Sequence, residues 1–561
     1  MVQLQQPLPQ AAFRRSFTIA GPAGTGKSHF VRALRAWAEA WWPHSHAHKI
    51  RTCAQSAKAA APIGGVTIHK LGGIPAILSR AQTAPGRPLS PADRKRRAAL
   101  QGVVCIIVDE KSMCGGKLLA VLSDRLRYLL GVNTPFGGAM VVLMGDFGQL
   151  PPVGDTPLYL IDAALAAGRE PGVAHAMSLH TRSLLETARV LWQQLAVGVV
   201  HFPRNERQRQ DQGFATLLAQ LRRGTVPAND LSTLLQRAVL RDAHAATKRA
   251  RIAAAAEARA DTQRAPYIPI ITCSNDERCY FNALVIAQIA VRRYNAAAAA
   301  HARGDDIARC ELLAALPVRF AARVEFVAGD MTPDMARVLY AKRDEQLGGR
   351  PLVTEFFVGM PVMATVSAVV PNGFAGYVSR MSFSSNARLT LMQLRATGTA
   401  NPALTHYAWL ASEPPVCVWV RAEAPPIAAA PAGAADAPEF PVMVLTQIHK
   451  VTMGRGENQR QASVRITTLP LVPAYAITAW KAQGATYDSL VLASLPLQPQ
   501  PSQRHLLYVI LSRVRTAAGL FTINTISPSV AGLYGPDPQL HQYFAAAQAP
   551  DDAAENLAAD I

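Results

Sequence analysis

The stretch that decides the fold is Gly21 to Ser28, which reads GPAGTGKS and directly follows the apolar run 17–20. Its spacing matches the P-loop pattern completely, and that pattern is meaningful only between a strand and a helix. Its glycines let backbone amides turn toward a phosphate at a helix N-terminus, where the dipole favours anions. The sequence therefore predicts a phosphate-binding loop made of Gly21, Pro22, Ala23, Gly24, Thr25, Gly26, Lys27 and Ser28.

A second apolar run, 103–109, ends in two carboxylates, Asp109 and Glu110. Runs of this kind are typical of buried parallel strands. A carboxylate at such a strand end can join the loop's hydroxyl in holding Mg²⁺, while the loop's lysine reaches the β- and γ-phosphates. We therefore expect Ser28 and Asp109 to hold the metal, Lys27 to contact phosphate and Glu110 to polarise the attacking water.

A third strand-like run, 140–145, leads into Asp146-Phe147-Gly148-Gln149 and then into two prolines. Gln149 is placed to sense the γ-phosphate or to order the attacking water. The prolines fix φ and stiffen the exit from the strand. Two arginines, Arg207 and Arg513, are candidates for stabilising the charge of a phosphoryl-transfer transition state.

Length, charge, hydropathy and cysteine pattern limit the possible fold and partners. The chain has 561 residues, half of them apolar, which is too long for one core and predicts three or four domains. Its formal charge of +19 suits a polyanionic partner without identifying one. The sequence contains no run of twenty uncharged apolar residues, so no membrane span is predicted. The seven cysteines are scattered without zinc-ligand spacing, which favours reduced thiols.

The order of the runs predicts an α/β fold with two α/β domains and a small β module inserted in the second. The alternation of strands and helices along residues 16–195 is typical of a parallel sheet covered by helices. Further strand-like runs at 268–273, 489–493 and 519–523 predict a second sheet. The predicted boundaries are 1–195 for the first domain, with an exposed basic insertion near 82–97; 196–354 and 469–545 for the second; 355–468 for the module; and 546–561 for an acidic tail.

Together these motifs resemble the Pif-type and RecD-like helicases of superfamily one, in order along nearly the whole chain. The segment 109–113 resembles that family's DExSM element, and 135–138 followed by 145–153 is especially characteristic of it. Further segments that resemble family motifs are 65–69, 205–208, 359–363, 372–378, 476–486 and 508–515.

The resemblance implies two RecA-like domains with ATP and Mg²⁺ in the cleft between them, and an SH3-like module. It implies that Arg207, Gly484 and Arg513 contact nucleotide and that Arg513 is the arginine finger of the second domain. It also implies single-stranded DNA contacts from Thr67, His69, Thr478 and Lys481. Trp480 stands where the family has histidine and is open to two interpretations, base stacking or core packing. Gln5, Gln6 and Gln10 are the candidates for the family's adenine-recognising glutamine.

The function implied is an ATP-dependent, monomeric DNA helicase that moves 5′ to 3′ on single-stranded DNA and at duplex junctions. Its process would be DNA repair, recombination or telomere maintenance, in the nucleus or alternatively in a mitochondrion or a bacterial cytoplasm. Two alternatives stay open from the residues alone. One is an RNA-directed relative, and the other is a mobile-element remnant that binds nucleic acid without turnover.

Overall fold

The computed structural model describes most of the chain. The described residues are 16–44, 49–75, 88–167, 177–237, 268–329, 331–366, 370, 372–396, 404–422, 438–453, 460–536 and 538–546. The acidic residues of the predicted tail, an Ala-rich run at 244–263 and the three candidate adenine-recognising glutamines lie outside them.

The N-terminal half forms a six-stranded sheet in which all strands are parallel. The central strand Cys105–Asp109 is completely buried, as its continuous apolar run predicts. Its end lies level with the end of a neighbouring strand, because Ala54 pairs with Asp109. The strand order is Val66–Thr67, Ile50–Ala54, Cys105–Asp109, Met140–Gly145, Phe17–Ala20 and Val199–His201.

Helices cover this sheet on both faces, and their apolar sides form its core. Helix Gly116–Leu130 is buried along most of its length and packs against Leu179–Ala196. The described part of the predicted basic insertion is itself a helix, whose Asp93 forms an ion pair with the buried Arg125, so it is docked onto the domain. The helices here are Lys27–Trp41, Ala57–Ala60, Ile68–Gly72, Pro91–Leu100, Gly116–Leu130, Ile161–Ala167 and Leu179–Ala196.

The C-terminal half has a smaller, four-stranded parallel sheet, in the order Ala476–Thr478, Ile270–Thr272, Leu490–Leu492 and Leu520–Thr522. Three of these strands lie inside the runs predicted for a second sheet, and the α/β fold class is confirmed. The Ala-rich run 295–304 ends a long helix, as its composition allows. The helices here are Gln212–Arg223, Ala228–Arg237, Asn275–Ala302, Asp306–Ala314, Pro333–Tyr340, Ala479–Ala482, Leu506–Leu511, Pro528–Ala531 and Pro538–Ala546.

Three further sheets, mostly antiparallel, occupy the predicted module and its surroundings. The first has the order Val353–Phe356, Val318–Ala321, Thr405–Ala411 and Leu389–Arg395; the second Glu439–Met443, Cys417–Ala422, Ala375–Ser382, Pro361–Ala364 and Leu471–Pro473; and the third Leu445–Met453, Arg460–Thr468 and Arg323–Gly329.

Pairing in these sheets crosses the predicted boundaries 355 and 468. Arg323–Gly329 comes before the predicted module but pairs with Arg460–Thr468, and Leu471–Pro473 follows it but pairs with Pro361–Ala364. The reason is that strand pairing depends on proximity in space, which the alternation of polar and apolar residues does not encode. The SH3-like description of this region stays a prediction.

The last described helix, Pro538–Ala546, also differs from expectation. The boundary at 545 assigns it to the second domain, but Leu540 and Phe544 are buried in the core of the first. Tyr543 completes the contact, with its ring 5.3 Å from that of Phe147. The end of the second domain is therefore held against the first. Within the described residues, no helix is both long and apolar enough to cross a membrane.

Candidate functional site

The loop from Gly21 to Ser28 joins strand Phe17–Ala20 to helix Lys27–Trp41, as predicted. Gly24 has φ +83°, and a Cβ there would lie 2.5 Å from the Cβ of Arg207. The carbonyl oxygen of Gly24 also accepts the amides of Glu206 and Arg207, at 2.9 and 3.1 Å. A glycine is required at this position because the backbone of the 205–208 segment lies directly on the loop.

The ammonium group of Lys27 lies inside the loop. Its Nζ donates to the carbonyl oxygens of Gly21 and Pro22, at 2.8 and 2.7 Å. Burial lowers its pKa, while the charges of three carboxylates, the largest from Asp146, act to raise it. The loop therefore holds one buried cation near several carboxylates.

Asp109 and Ser28 meet beside that lysine. The Ser28 hydroxyl donates to the Asp109 carboxylate, which also accepts the Glu110 amide at 2.8 Å. Burial, followed by the charge of Glu110, raises the pKa of Asp109 to about 7. Two oxygen-bearing side chains from different elements are thus placed side by side in a site where a positive charge would be stabilised.

Glu110 has an unusual backbone conformation, with φ 56° and ψ 52°. Only Phe136 shares a positive φ among the described non-glycine residues. The Glu110 Oε2 atom accepts a hydrogen bond from Nε2 of Gln483, at 3.2 Å, and a Cβ on Gly484 would lie 4.0 Å from its Oε1 atom. The carboxylate thus faces the second domain.

Two arginines complete the site from both sides. Arg513 is 1% exposed, and its Nη2 lies 3.4 Å from Oε1 of Gln149, across 364 residues of sequence. Arg207 donates from Nη1 to the Ser512 carbonyl oxygen, at 2.6 Å. Burial and then the charge of Arg513 lower the pKa of Arg207 to about 9. The structure therefore brings Lys27, Ser28, Asp109, Glu110, Gln149, Arg207 and Arg513 into one cleft between the domains.

A buried hydrogen-bond network behind this cleft was missed by sequence reasoning. The Tyr508 hydroxyl accepts the Ala23 amide at 3.1 Å and donates to Asp146 Oδ2 at 2.8 Å. Arg222 Nε donates to Asp146 Oδ1 at 2.7 Å. Asp146 and Tyr508 lie within segments that resemble family motifs, and this position could have pointed to them. Nothing in the helix that carries Arg222 distinguishes that residue. This network ties the P-loop to the second domain.

Tyr508→Phe is expected to lower the thermal unfolding midpoint by at least about 2 °C. The ring stays packed, but the buried Ala23 amide and Asp146 carboxylate each lose a partner, a loss that costs about 1–3 kcal/mol. Tyr340→Phe, at an exposed helix end, is the matched control and is expected to leave the midpoint unchanged. Equal midpoints for the two variants in differential scanning calorimetry would remove the network's structural role.

The four predicted DNA contacts lie at the carboxyl ends of edge strands in the two parallel sheets. Thr67 caps helix Ile68–Gly72 by accepting the Lys70 amide at 3.2 Å, and Nδ1 of His69 lies 3.2 Å from the Ile74 carbonyl oxygen. Thr478 stands at the start of helix Ala479–Ala482. Thr67 and His69 therefore make local contacts within the first domain, in addition to their predicted role.

Lys481 lies where three parts of the chain meet. Its Nζ donates to Oδ1 of Asn372 at 2.7 Å, and Lys58 of the first domain donates to its carbonyl oxygen. Trp480 beside it is half-buried and packs against the apolar core of the second domain. The packing interpretation of Trp480 is thus supported by contacts.

Comparison with known proteins agrees with this architecture. The family model described as PIF1-like helicase matches residues 10–231. The ATP-dependent DNA helicase PIF7 of Trypanosoma brucei brucei is 36% identical over 141 residues, which are 25% of this chain and 14% of that protein. Pif1 of Psychrobacter sp. is 33% identical over 145 residues, 24% of this chain and 20% of the relative. The match thus spans a fifth or less of each relative's length.

Solved structures extend the likeness in fold to nearly the whole chain. A Pif1 helicase from Bacteroides, solved with ADP-AlF3 and single-stranded DNA, aligns with a TM-score of 0.58 and 18% identity, covering 97% of each chain. Pif1 from Candida albicans aligns with a TM-score of 0.55 and 19% identity, covering 96% of this chain and 97% of that one. The two parallel sheets flanked by helices are accordingly RecA-like domains. In sequence over residues 10–231, and in fold over nearly its whole length, this chain is similar to Pif1 helicases.

Proposed function

We propose that this chain is an ATP-dependent DNA helicase that moves 5′ to 3′ along single-stranded DNA and couples hydrolysis to duplex unwinding. The observation that carries the proposal is the contact between Arg513 of the second domain and Gln149 of the first, beside the P-loop. Because the site draws on both domains, binding and release of nucleotide can change how the domains sit together. The solved relatives bound to ADP-AlF3 and single-stranded DNA support this use of the fold.

The donor set fits ATP with Mg²⁺. The adjacent Ser28 hydroxyl and Asp109 carboxylate supply the oxygen ligands that Mg²⁺ prefers, and the raised pKa of Asp109 reflects a site that favours added positive charge. Mg²⁺ would neutralise charge on the phosphates and help to orient them. We propose that Lys27 turns from the loop carbonyls to the β- and γ-phosphates, with the amides of 21–28 around them.

The remaining side chains would act on the attacking water and the developing charge. Glu110 orients and deprotonates the water, with Gln483 and Gly484 beside its carboxylate. Gln149 positions the same water or reads the γ-phosphate. Arg207 and Arg513 stabilise the charge that spreads over the transferred phosphoryl group. Since the charge of Arg513 lowers the pKa of Arg207, an anionic phosphate between them would relieve their repulsion.

The proposed DNA groove runs across both RecA-like domains, with Thr67 and His69 on the first and Thr478 and Lys481 on the second. Phosphate contacts would hold the strand without reading its sequence. Affinity for a single strand is expected to fall by about 0.7 log units per log unit of salt for each phosphate contact. We retain the domain division 1–195, 196–354 with 469–545, and 355–468 as a proposal. At both ends of the module, β-strands from outside these boundaries pair with strands inside them.

The cellular setting is also proposed. Matched relatives include eukaryotic helicases such as RRM3 of Saccharomyces cerevisiae and the bacterial protein from Psychrobacter. We propose work in DNA repair, recombination or telomere maintenance in a nucleus, with the single chain as the motor. One solved structure concerns two coordinating Pif1 helicases at forked double-stranded DNA. The dependence of fork unwinding on protein concentration therefore tests whether this chain works as a monomer.

The deciding experiment measures ATP hydrolysis with and without single-stranded DNA, in the wild type and in Lys27→Ala. DNA should stimulate hydrolysis in the wild type, and the variant should lose it by a factor of roughly 10²–10³ because a preorganised cation on the phosphates is gone. Arg32→Ala, exposed on the same helix, is the matched control. DNA binding without hydrolysis in the wild type would favour the retired-remnant alternative.

Duplexes with a 5′ or a 3′ single-stranded tail then test direction, and DNA against RNA duplexes tests substrate class. Unwinding only from a 5′ DNA tail is the expected result. Faster unwinding of RNA would replace the proposal by its RNA-directed alternative.

A further inference from the structure

A second concave site lies at the outer edge of the N-terminal sheet, with a volume of about 470 Å³. Its wall includes Ile50 to Thr52, at the start of a strand whose far end, Ala54, is level with Asp109. Four residues of strand separate Ile50 from that end, about 13 Å at 3.3 Å per residue. None of the residues of the proposed nucleotide site lines this cavity, so the two sites are distinct. It is lined by Arg35, Ile50, Arg51, Thr52, Gly64, Gly65, Val66, Lys70, Leu71, Ala92, Lys95, Arg96, Ala99 and Leu100.

The charge of this cavity is one-sided. Arg35, Arg51, Lys70, Lys95 and Arg96 line it, and no aspartate or glutamate occurs among the described lining residues. Asp93 lies 3.2 Å from Arg96, but this carboxylate is shared with Arg125. Gathering like charges around a concave surface is unfavourable unless an anion is bound there.

Two of these cations are held in place by the fold. Arg35 donates from Nη1 to the Ile63 carbonyl oxygen at 2.8 Å, and Arg51 donates to the Ala99 carbonyl oxygen. The Nε atom of Arg51 is buried and has no hydrogen-bond partner among the described residues. Lys70 and Lys95, in contrast, lie exposed at the rim. The cavity thus combines guanidinium groups held by hydrogen bonds with two exposed ammonium groups.

The floor is apolar, formed by Ile50, Val66, Leu71 and Leu100. A small inorganic anion would leave this surface uncovered, whereas a ligand with a flat apolar body and a phosphate would cover it and pair with the rim. Val66 also directly precedes Thr67, one of the proposed DNA contacts. The position suits a nucleotide that continues from that contact around the edge of the sheet.

We propose that this cavity binds a phosphorylated nucleoside, either as one unit of a nucleic acid strand or as a free nucleotide. The inference extends the proposed helicase function, because it adds a nucleotide-binding position outside both the ATP cleft and the predicted groove. It also gives a role to the helix Pro91–Leu100, whose Lys95 and Arg96 face the cavity. No bond is made or broken there.

The test replaces the two rim lysines, using Lys70→Glu/Lys95→Glu. The matched control is Arg94→Glu/Arg97→Glu, which makes the same change in charge at exposed positions of the helix that carries Lys95, and these two residues do not line the cavity. One arm measures binding of a labelled oligodeoxynucleotide at several salt concentrations. The other measures ADP binding by calorimetry in a Lys27→Ala background, where the P-loop site is weakened.

If the ligand is a strand, the rim variant should bind the oligonucleotide at least about tenfold more weakly than the control, because it loses charge-assisted hydrogen bonds. Its salt slope should also fall by about 1.4, for two phosphate contacts. If the ligand is a free nucleotide, ADP binding should persist in the Lys27→Ala background and disappear when the rim changes are added.

Equal behaviour of the rim and control variants in both arms would overturn the proposal. Neither arm depends on hydrolysis. Failure of the helicase proposal, seen as no DNA-stimulated ATP hydrolysis by the wild type, is therefore distinguishable from failure of the cavity.

Discussion

Arg513→Ala is expected to lower kcat for DNA-stimulated ATP hydrolysis by a factor of roughly 10³–10⁵, the range for arginines that stabilise phosphoryl transfer. The side chain is buried against Gln149 and donates from Nε to the Val509 carbonyl oxygen at 2.8 Å. It is thus held at the proposed γ-phosphate position by the second domain. The measurement is steady-state hydrolysis at saturating DNA, with nucleotide affinity determined separately.

Arg515→Ala is the matched control for this loss. Arg515 belongs to the same motif but pairs with Asp488 at the surface, at 2.9 Å. It is expected to retain activity within a few-fold. Arg513→Lys keeps the charge but loses the planar fork, so it should recover little. An Arg513→Ala variant that keeps more than a tenth of wild-type kcat would exclude the residue as the finger.

Glu110→Gln is expected to lower kcat by a factor of roughly 10²–10⁴ while leaving nucleotide binding intact, because the amide keeps the shape but cannot accept the proton of the attacking water. The change should also leave a contact to Gln483. Single-turnover hydrolysis and nucleotide affinity, measured together, separate chemistry from binding.

Glu206→Gln tests whether any loss of a carboxylate near the loop has this effect. Glu206 is exposed, although its amide donates to the Gly24 carbonyl oxygen. The Glu206→Gln variant should hydrolyse ATP at nearly the wild-type rate. Near-normal turnover by Glu110→Gln would assign the general base to another group.

Local sequence could predict the half of the site that the first domain supplies. The loop that carries Lys27 follows one apolar run, Asp109 ends another, and the carboxyl ends of parallel strands meet at one edge of a sheet. Their proximity therefore follows from two short patterns. For Arg513 no such local argument exists, since it lies 364 residues from its contact with Gln149. Its own sequence surroundings make it only a candidate, and the family resemblance is what implies its role as the arginine finger.

Features that depend on long-range packing could not be predicted. The apolar residues of helix Pro538–Ala546 show that one face is buried, but not that the first domain buries it. Arg222 pairs with Asp146 across 76 residues, and nothing in its own helix marks it. The described part of the basic insertion is mostly exposed, as its charge predicts, but its composition does not reveal the Asp93–Arg125 ion pair that docks it on the domain.

The left-handed backbone conformation of Glu110 lowers the stability of the fold at a residue whose carboxylate has a proposed catalytic role. A side chain in this conformation costs roughly 1–2 kcal/mol, and glycine would adopt it freely but carries no carboxylate. Selection for a more stable protein and selection for a working water-polarising group thus act in opposite directions on this codon. If the proposed chemistry were no longer needed, glycine would relieve this backbone strain, and drift toward glycine here would be an early trace of its loss.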